Sequence, residues 1–366
     1  MRALAWLLLV VFVCSDACAQ ERVVAYVASS SPPPTIHTQK LTHLNVAFAH
    51  IDANHRVVVE SAAAIQKLSA LKKSDPRLKV LLSVGGWQAE GFSDAALTDA
   101  SRHAFADSAA KVLGELSLDG IDIDWEYPGL GTAGIKYRPE DKQNFTSLLQ
   151  VLRETLDAGK RTGPDHYLLT IAAADREYVE NIELNRVTAY LDWINLMSYD
   201  FFNSLTPTTG HHAGLYRAEH ALPRDRNADS AVSQYLAAGV PPQKIVLGVA
   251  FYGRGFAGVT ARNNGVNQSY EHFEGEHSYT DLVEHFIGKG GFVRYWDNRA
   301  QAPYLWNSAS RVFISYDDPQ SIALKTRYVL QHRLGGVMFW ELSLDHDDEL
   351  LDVIDRGLAT SPGRSP

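Results

Sequence analysis

The stretch DGIDIDWEYPG, residues Asp119–Gly129, carries four acidic residues within eight positions and interleaves them with isoleucine and tryptophan. Side chains of a β-strand alternate between its two faces, so Asp122, Asp124 and Glu126 point one way and the apolar residues between them point the other way. In a closed barrel the apolar side chains pack against surrounding helices, and the carboxylates line the interior with Glu126 nearest the mouth. The stretch therefore predicts an acidic strand inside a barrel.

Three carboxylates on one inward face repel one another, so the pKa of at least one of them rises. A carboxyl group that keeps its proton near neutral pH can act as a general acid. The pattern thus predicts a site for proton transfer. Asp119 lies on the opposite parity, and we interpret it as a residue at the start of the strand.

The acidic strand has two other interpretations. The spacing Asp122-x-Asp124-x-Glu126 resembles a calcium-binding loop, but such a loop needs a glycine turn and further oxygen ligands that a strand does not offer. A structural salt-bridge network would need basic residues, and no run of arginine or lysine lies at the ends of the neighbouring predicted strands. We therefore expect no metal site and no cofactor.

Eight short runs rich in β-branched residues alternate with segments of helical periodicity. The runs are residues 22–28, 43–51, 79–85, 120–126, 167–173, 193–199, 244–252 and 336–342. The predicted helices are residues 61–73, 93–116, 141–158, 228–238 and 320–332. Hydrophobic strands that alternate with helices are typical of a parallel sheet buried on both faces, so we predict an α/β fold, a (β/α)8 TIM barrel. A doubly wound open sheet is the alternative, but no glycine-rich phosphate turn follows the first strand.

One segment, from about residue 254 to residue 312, lacks the helical period and carries aromatic patches around a turn at Asp297-Asn298. It predicts a small α+β insertion between the seventh strand and its helix. We therefore expect one barrel domain over residues 20–360, with this insertion inside it and a short tail at residues 361–366.

Residues 1–19 are typical of a signal peptide, with a basic Arg2, an apolar run and small residues before a cleavage site near Ala19. The apolar run is too short to span a bilayer comfortably. We therefore expect a secreted protein, extracellular or periplasmic. Both cysteines, Cys14 and Cys18, lie in this segment, so the mature chain would have no disulfide and no cysteine metal site.

The formal net charge of −9 argues against nucleic acid or an anionic membrane as a partner. With 45% hydrophobic and 21% charged residues, the composition is that of a globular protein with a sizeable core. We expect a monomer.

Five motifs together resemble the family-18 glycoside hydrolases, the chitinases and their relatives. DGIDIDWEYP is similar to the catalytic signature of that family. SVGGW (residues 83–87), MSYD (197–200), YGR (252–254) and FWEL (339–342) are similar to the motifs that end its third, sixth, seventh and eighth strands. The motifs occur in the family's order, and the match covers essentially the whole predicted mature chain. In many family members an insertion like the one predicted here builds one wall of a deep cleft.

The resemblance implies substrate-assisted catalysis, in which the N-acetyl carbonyl of the substrate is the nucleophile. It implies Glu126 as the acid that protonates the glycosidic oxygen. Asp124 would hold the acetamido N–H and stabilise positive charge. Asp122 would share a proton with Asp124 deeper in the barrel, with Ser83 and Tyr26 as its hydrogen-bond partners. Tyr199 would hold the acetamido oxygen in its attack geometry.

The resemblance also implies a set of substrate-binding residues around these four. They are Tyr26, Ser83, Gly85, Gly86, Trp87, Tyr127, Met197, Asp200, Tyr252, Arg254 and Trp340. For the aromatic residues the alternative is plain core packing, and for the two glycines it is a simple β-turn. His211 and His212 are interpreted as a solvated loop pair without a role.

The leading hypothesis is a secreted chitinase that acts on β-1,4-linked N-acetylglucosamine polymers and binds chitin or its oligosaccharides. An endo-β-N-acetylglucosaminidase acting on glycoprotein glycans shares the chemistry but needs a wider cleft, and a peptidoglycan-type substrate also stays open. A chitin-binding lectin on the same fold is the third hypothesis, although such relatives usually lose the acid that this chain keeps at Glu126. The loop SSSPPPT, residues 29–35, stands where many relatives have aromatic residues.

Overall fold

The structure is a computed structural model that describes residues 21–159 and 166–359. Its strands are β1 (Arg22–Ala28), β2 (His43–Ile51), β3 (Val57–Val58), β4 (Lys79–Gly85), β5 (Gly120–Asp124), β6 (Leu168–Ala173), β7 (Trp193–Leu196), β8 (Ile245–Ala250), β9 (Tyr252–Ala257), β10 (His272–Ser278), β11 (Val293–Asp297), β12 (Ala302–Asn307), β13 (Val312–Ser315) and β14 (Gly336–Trp340). Its α-helices are α1 (Ala62–Ser69), α2 (Phe92–Ala95), α3 (Asp99–Glu115), α4 (Asp141–Ala158), α5 (Glu177–Glu180), α6 (Leu184–Val187), α7 (Ala228–Ala237), α8 (Tyr279–Asp281), α9 (Pro319–Gln331) and α10 (Glu349–Leu358). The predicted signal peptide, residues 1–19, and the predicted tail, residues 361–366, lie outside the described residues.

Eight parallel strands form a closed barrel in the order β1-β14-β8-β7-β6-β5-β4-β2, and pairing between β1 and β2 completes the ring. The predicted (β/α)8 barrel is therefore confirmed. The eight strands are the eight runs seen in the sequence, although several of them end earlier than predicted. In the part of the chain that is described, no helix combines the length and the apolar character needed to cross a membrane.

The acidic strand β5 has the predicted parity. Ile121 and Ile123 are fully buried in the core between the barrel and its helices. Trp125 continues this outward face, stacking on Phe92 with ring centroids 5.3 Å apart and meeting Phe145 edge-on at 5.4 Å. Apolar packing on the outside therefore holds the carboxylates of the same strand toward the barrel interior.

The predicted helix over residues 93–116 is wrong in one respect, because it is two helices. Thr98 has an extended backbone and caps α3: its hydroxyl accepts the Ser101 N–H at 3.1 Å, and the Ser101 hydroxyl accepts the Thr98 N–H at 3.0 Å. This reciprocal capping starts α3 at Asp99, after α2 has ended at Ala95. Helix α4 has the predicted bounds, and α7 and α9 lie within one residue of them.

The insertion lies between β8 and α9, where the sequence predicted it. It is a five-stranded antiparallel sheet in the order β10-β9-β13-β12-β11, with the short helix α8. The predicted seventh run, residues 244–252, is two strands, because β8 ends at Ala250 in the barrel and β9 begins at Tyr252 in the insertion. Only Phe251 separates the two sheets, and its ring stacks on Phe339 of the barrel at 4.2 Å.

A buried ion pair joins α9 to the barrel. The Lys325 ammonium lies 2.5 Å from Asp317 Oδ2, and both side chains are almost completely buried. Asp317 also accepts hydrogen bonds from the Ser321 hydroxyl at 2.7 Å and from the Ala250 N–H at 3.3 Å. The chain that leaves the insertion is thus tied to the end of β8 by a charge that has no access to water.

We predict that Lys325→Ala destabilises the protein strongly, because it leaves the Asp317 carboxylate buried without its counter-ion. The expected loss in free energy of unfolding is about 3–5 kcal/mol. Lys111→Ala is the matched control, because Lys111 and Glu115 form an exposed ion pair within helix α3. This substitution should change the free energy of unfolding by less than about 0.5 kcal/mol. Urea denaturation of both variants measures the difference, and equal losses would contradict the prediction.

Candidate active site

Asp122 is anchored inside the barrel by four hydrogen bonds. Its Oδ2 accepts from the Tyr26 hydroxyl at 2.7 Å and the Ser83 hydroxyl at 2.8 Å. Its Oδ1 accepts from the Thr170 hydroxyl at 2.5 Å and the Asn195 amide at 3.1 Å. Burial raises the pKa of Asp122, and these four donors oppose that rise because they favour the charged form. Both carboxylate oxygens are thus committed to protein donors.

Two of these four donors were predicted from the sequence, Tyr26 and Ser83, and two were missed. Thr170 and Asn195 lie in the middle of β6 and β7 and are fully buried. The available signal was a polar residue inside an otherwise apolar strand, since a buried polar side chain needs a partner. The sequence does not reveal which partner that is, because each lies 48 or more positions away from Asp122.

Asp124 is the second carboxyl of the strand, and its environment differs from that of Asp122. It is buried, and within the described chain its Oδ1 accepts no hydrogen bond. Burial and the charges of Glu126 and Asp122 raise the pKa of Asp124 well above its usual range. Asp124 therefore keeps its proton to a higher pH than an exposed aspartate does, and one of its oxygens is free for a ligand.

Glu126 lies two residues beyond the end of β5, at the mouth of the barrel. Burial raises the pKa of Glu126 to about 7, a hydrogen bond from Tyr127 opposes the rise, and the negative charge of Asp200 adds to it. A general acid works best when its pKa lies near the working pH. Glu126 meets that condition near neutrality.

Asp200 is the ionised carboxylate of the site. Arg254 binds it with two parallel hydrogen bonds, Nε to Oδ1 and Nη2 to Oδ2, each 2.7 Å long. The third guanidinium nitrogen lies 3.3 Å from the Glu276 carboxylate of the insertion. Burial alone would raise the pKa of Asp200, but His212 and Arg254 outweigh it and hold that pKa well below its usual range.

The interpretation of His211 and His212 as a solvated loop pair is wrong. His211 is 4% exposed and its Nε2 lies 3.1 Å from Asp297 Oδ2, while His212 is 0% exposed and its Nδ1 lies 3.6 Å from Asp200 Oδ1. The backbone N–H of His212 donates to the Ser315 hydroxyl at 2.8 Å. The loop that follows β7 is buried because it folds against the insertion. Asp297 and Ser315 belong to that insertion, 86 and 103 positions beyond their histidine partners.

Aromatic rings line two sides of the barrel mouth. Trp340, at the end of β14, stacks on Phe48 with ring centroids 5.6 Å apart and meets Tyr26 at 5.8 Å. Phe48 was not predicted, because its inward position on β2 looks like ordinary core from the sequence. Trp87 is half exposed and touches Tyr127 edge-on at 6.3 Å. The mouth thus presents apolar ring surface on two sides.

Gly85 and Gly86 permit close packing between neighbouring strands. Both have positive φ angles, 119° and 94°. A β-carbon at Gly85 would lie 2.0 Å from the backbone oxygen of Asp124, and one at Gly86 would lie 2.7 Å from the Phe48 ring. The structure therefore shows a close approach of strand β5 at Gly85 rather than a simple β-turn.

An open cleft of about 1770 Å³ crosses the mouth of the barrel. All of the predicted site residues line it except Asp122 and Ser83, which lie beneath its floor. The lining residues among them are Tyr26, Gly85, Gly86, Trp87, Asp124, Glu126, Tyr127, Met197, Tyr199, Asp200, Tyr252, Arg254 and Trp340. Small-molecule pockets measure about 300–1,000 Å³, so this cleft has room for an extended ligand.

The cleft walls include residues that the sequence analysis did not single out. They come from the loop after β6, from residues 201–208 and 222–226 after β7, and from Phe273 and Glu276 of the insertion. These segments carry no recognisable motif, so their place in the cleft wall becomes visible only in the folded structure.

Comparison with known proteins finds a family match over most of the chain. The sequence matches the family described as glycosyl hydrolases family 18 over residues 22–345. Chitinase A1 of Niallia circulans is 43% identical over 315 residues, which cover 82% of this chain and 45% of that protein. The chain therefore spans less than half the length of this relative.

Solved structures agree over nearly the whole chain. A family-18 N-acetylglucosaminidase from Paenibacillus barengoltzii superposes with a TM-score of 0.88 at 42% identity, covering 92% of this chain and 99% of that one. A chitinase from Bacillus thuringiensis superposes with a TM-score of 0.89 at 33% identity, covering 95% of this chain and 71% of that one. With its acidic strand, barrel and insertion all in place, the chain belongs to the glycosyl hydrolases of family 18.

Proposed function

We propose that the protein is a secreted chitinase that hydrolyses β-1,4-linked N-acetylglucosamine polymers by substrate-assisted catalysis with retention of configuration. The observation that carries this proposal is the state of the carboxyl groups around Glu126. A second enzyme carboxylate would have to be ionised and free to act as the nucleophile. Burial and the neighbouring carboxylates raise the pKa of Asp124, which disfavours its charged form, and both oxygens of Asp122 and of Asp200 are already bound by protein donors. The nucleophile is therefore assigned to the acetamido group of the substrate.

In the proposed reaction the acetamido carbonyl oxygen attacks the anomeric carbon and the glycosidic C–O bond breaks. Glu126 transfers its proton to the departing oxygen, and a cyclic oxazolinium ion remains. The free oxygen of Asp124 accepts a hydrogen bond from the acetamido N–H, and the partial negative charge on that oxygen stabilises the developing positive charge. Water then attacks the anomeric carbon, the bond from that carbon to the acetamido oxygen breaks and restores the N-acetyl group, and the Glu126 carboxylate takes a proton from the attacking water. Two inversions at one carbon give net retention.

Tyr199 and Trp340 supply the binding geometry in this proposal. The Tyr199 hydroxyl points to the Met338 sulfur at 3.7 Å, a weak acceptor that a stronger one, the acetamido oxygen, can replace. Trp340 offers its ring face as the floor under the sugar that carries the attacking acetamide. Support for the substrate class comes from the relatives, since Chitinase A1 and the Bacillus thuringiensis protein are named chitinases.

Release of single N-acetylglucosamine units is the second candidate function. It is favoured by the Paenibacillus barengoltzii structure, which is described as an N-acetylglucosaminidase and matches over 99% of its length. Action on glycoprotein glycans shares the same chemistry. A lectin function is disfavoured, because Glu126 is present and has a pKa suited to proton transfer. Mass spectrometry of the products from chitin oligomers and from a high-mannose glycopeptide distinguishes the three hydrolytic functions.

Export is proposed from residues 1–19 alone, whose composition is typical of a signal peptide. A monomer without nucleic-acid or membrane partners is proposed from the composition and the net charge. The protein would then act on chitin outside the cytoplasm.

We predict that Glu126→Gln lowers the turnover number by about 10³-fold or more, because the amide cannot donate a proton to the leaving oxygen. Oligosaccharide binding should be largely retained. Glu177→Gln is the matched control, since Glu177 also lines the cleft but is exposed, and it should keep near wild-type rates. Initial rates and calorimetric affinities for chitin oligomers measure both effects. Near wild-type turnover in the Glu126→Gln variant would remove Glu126 from the mechanism.

The pH dependence of the reaction should follow the protonation of Glu126. The rate constant kcat/KM should fall as the pH rises through about 7, because the acid loses its proton there. Asp200→Asn removes a negative charge that raises the pKa of Glu126, so the falling limb should move to lower pH. Asp99→Asn, an exposed aspartate on α3, should leave the limb in place. A limb that stays or moves to higher pH in Asp200→Asn would contradict the assignment.

Substrate assistance predicts an absolute need for an N-acetyl group on the sugar that donates the nucleophile. Cellulose oligomers and fully deacetylated chitosan should be inert, although their linkage is the same. Partially acetylated chitosan should give fragments whose new reducing ends are all acetylated, and the first product should be the β-anomer. Sequencing of the reducing ends and early NMR spectra measure these outcomes. Deacetylated reducing ends in quantity, or an initial α-anomer, would show a different nucleophile.

A further inference from the structure

Tyr137 is a large exposed side chain immediately outside the cleft. Its surface is 53% exposed. It belongs to residues 130–139, here called the rim segment, in which Leu130 and Thr132 line the cleft. Gly131 between them lies against the tyrosine ring, so closely that a β-carbon at Gly131 would come within 2.6 Å of Tyr137 Cε1. The exposed ring of Tyr137 is therefore adjacent to the residues that line the cleft.

The rim segment is held in place on both sides of Tyr137. The backbone N–H of Lys136 donates to the Glu90 carboxylate at 3.2 Å, and Glu90 itself lines the cleft. The Lys136 ammonium donates to Asp94 at 2.9 Å. On the other side, the backbone N–H of Arg138 donates to Asp141 at 2.7 Å, and its guanidinium donates to Asp94. A ring on a backbone fixed in this way loses little conformational entropy when it binds a ligand.

The order of the strands places the rim segment on one particular side of the mouth. The rim segment follows β5, and Trp87 follows the neighbouring strand β4. Strand β14, which ends in Trp340, lies four places from β5 in either direction around the barrel. Trp87, Tyr127 and Tyr137 therefore lie across the mouth from Trp340, on the side of the acid Glu126.

We propose that Tyr137 is a sugar-binding subsite outside the cleft, which stacks on N-acetylglucosamine units of a long chitin chain beyond the bond being cleaved, on the leaving-group side. This proposal rests on the function proposed above. Tyrosine offers a large, flat apolar face that fits the apolar face of a pyranose ring, and it costs little rotamer entropy. Trp87 and Tyr127, whose ring centroids are 6.3 Å apart, line the cleft on this side, and Tyr137 presents a further ring just outside it.

The test measures binding in the Glu126→Gln background, so that no substrate is consumed. Calorimetric titrations use N-acetylglucosamine oligomers of increasing length, from the dimer upward. The background protein is compared with versions that also carry Tyr137→Ala, Tyr137→Phe or Tyr216→Ala. Tyr216 is the matched control, because it is an exposed tyrosine, 37% accessible, that does not belong to the cleft lining. Thermal melting of each protein confirms that it is folded.

Tyr137→Ala should weaken binding of the long oligomers about two- to tenfold, the range expected for one lost ring stack. It should leave the dimer unaffected. Tyr137→Phe and Tyr216→Ala should match the background protein at every length. The proposal is overturned if Tyr137→Ala binds long oligomers as well as the background does, if it weakens the dimer equally, or if Tyr137→Phe is as weak as Tyr137→Ala.

Failure of the proposed function has a separate readout. Wild-type protein that turns over no chitin oligomer would overturn the chitinase assignment. A length-dependent loss of affinity in Tyr137→Ala would still support the subsite in that case, because the titration does not depend on turnover.

Discussion

The hydrogen bonds to Asp122 are the interaction on which the rest of the site depends. Its donors come from four different strands, since Tyr26 lies on β1, Ser83 on β4, Thr170 on β6 and Asn195 on β7. A charge-assisted hydrogen bond contributes about 1.5–3 kcal/mol, and a buried carboxylate that lost its donors would cost more. These bonds fix β5 relative to half of the barrel. Asp124 and Glu126 follow on the same strand, so their positions at the mouth are fixed with it.

Carboxyl groups of one chemical kind take different protonation states within this small volume. Asp124 is buried and Glu126 is partly buried, both with few donors, and they keep their protons to a higher pH than usual. Asp200 is only partly buried, and Arg254 binds both of its oxygens and keeps it ionised. The surroundings of each carboxyl therefore decide whether it can donate a proton, and that division of states is what an acid-catalysed reaction requires.

Local patterns in the sequence were sufficient to predict the barrel and the acidic strand. The alternation of Ile121, Ile123 and Trp125 with carboxylates specified the orientation of β5, and the structure has that orientation. The motifs also led to Tyr26 and Ser83 as partners of Asp122, through resemblance to a known family. These predictions needed only periodicity, strand parity and motif order. The remaining features depend on contacts between distant parts of the chain. Thr170 and Asn195 look like isolated polar residues until the barrel closes around Asp122, and Phe48 resembles ordinary core until it stacks on Trp340. The two histidines after β7 look solvated, because their partners belong to an insertion that lies far along the sequence.

The contacts between the loop after β7 and the insertion limit how this fold can be recombined. His211 pairs with Asp297, His212 donates to Ser315, and the Tyr270 hydroxyl donates to the Thr206 carbonyl at 2.7 Å. A chimera whose insertion lacked these partners would leave the buried groups of His211 and His212 unpaired, at about 1–3 kcal/mol each. The loop and the insertion would therefore have to be transferred together into a chimera, although helix α7 and strand β8 separate them along the chain.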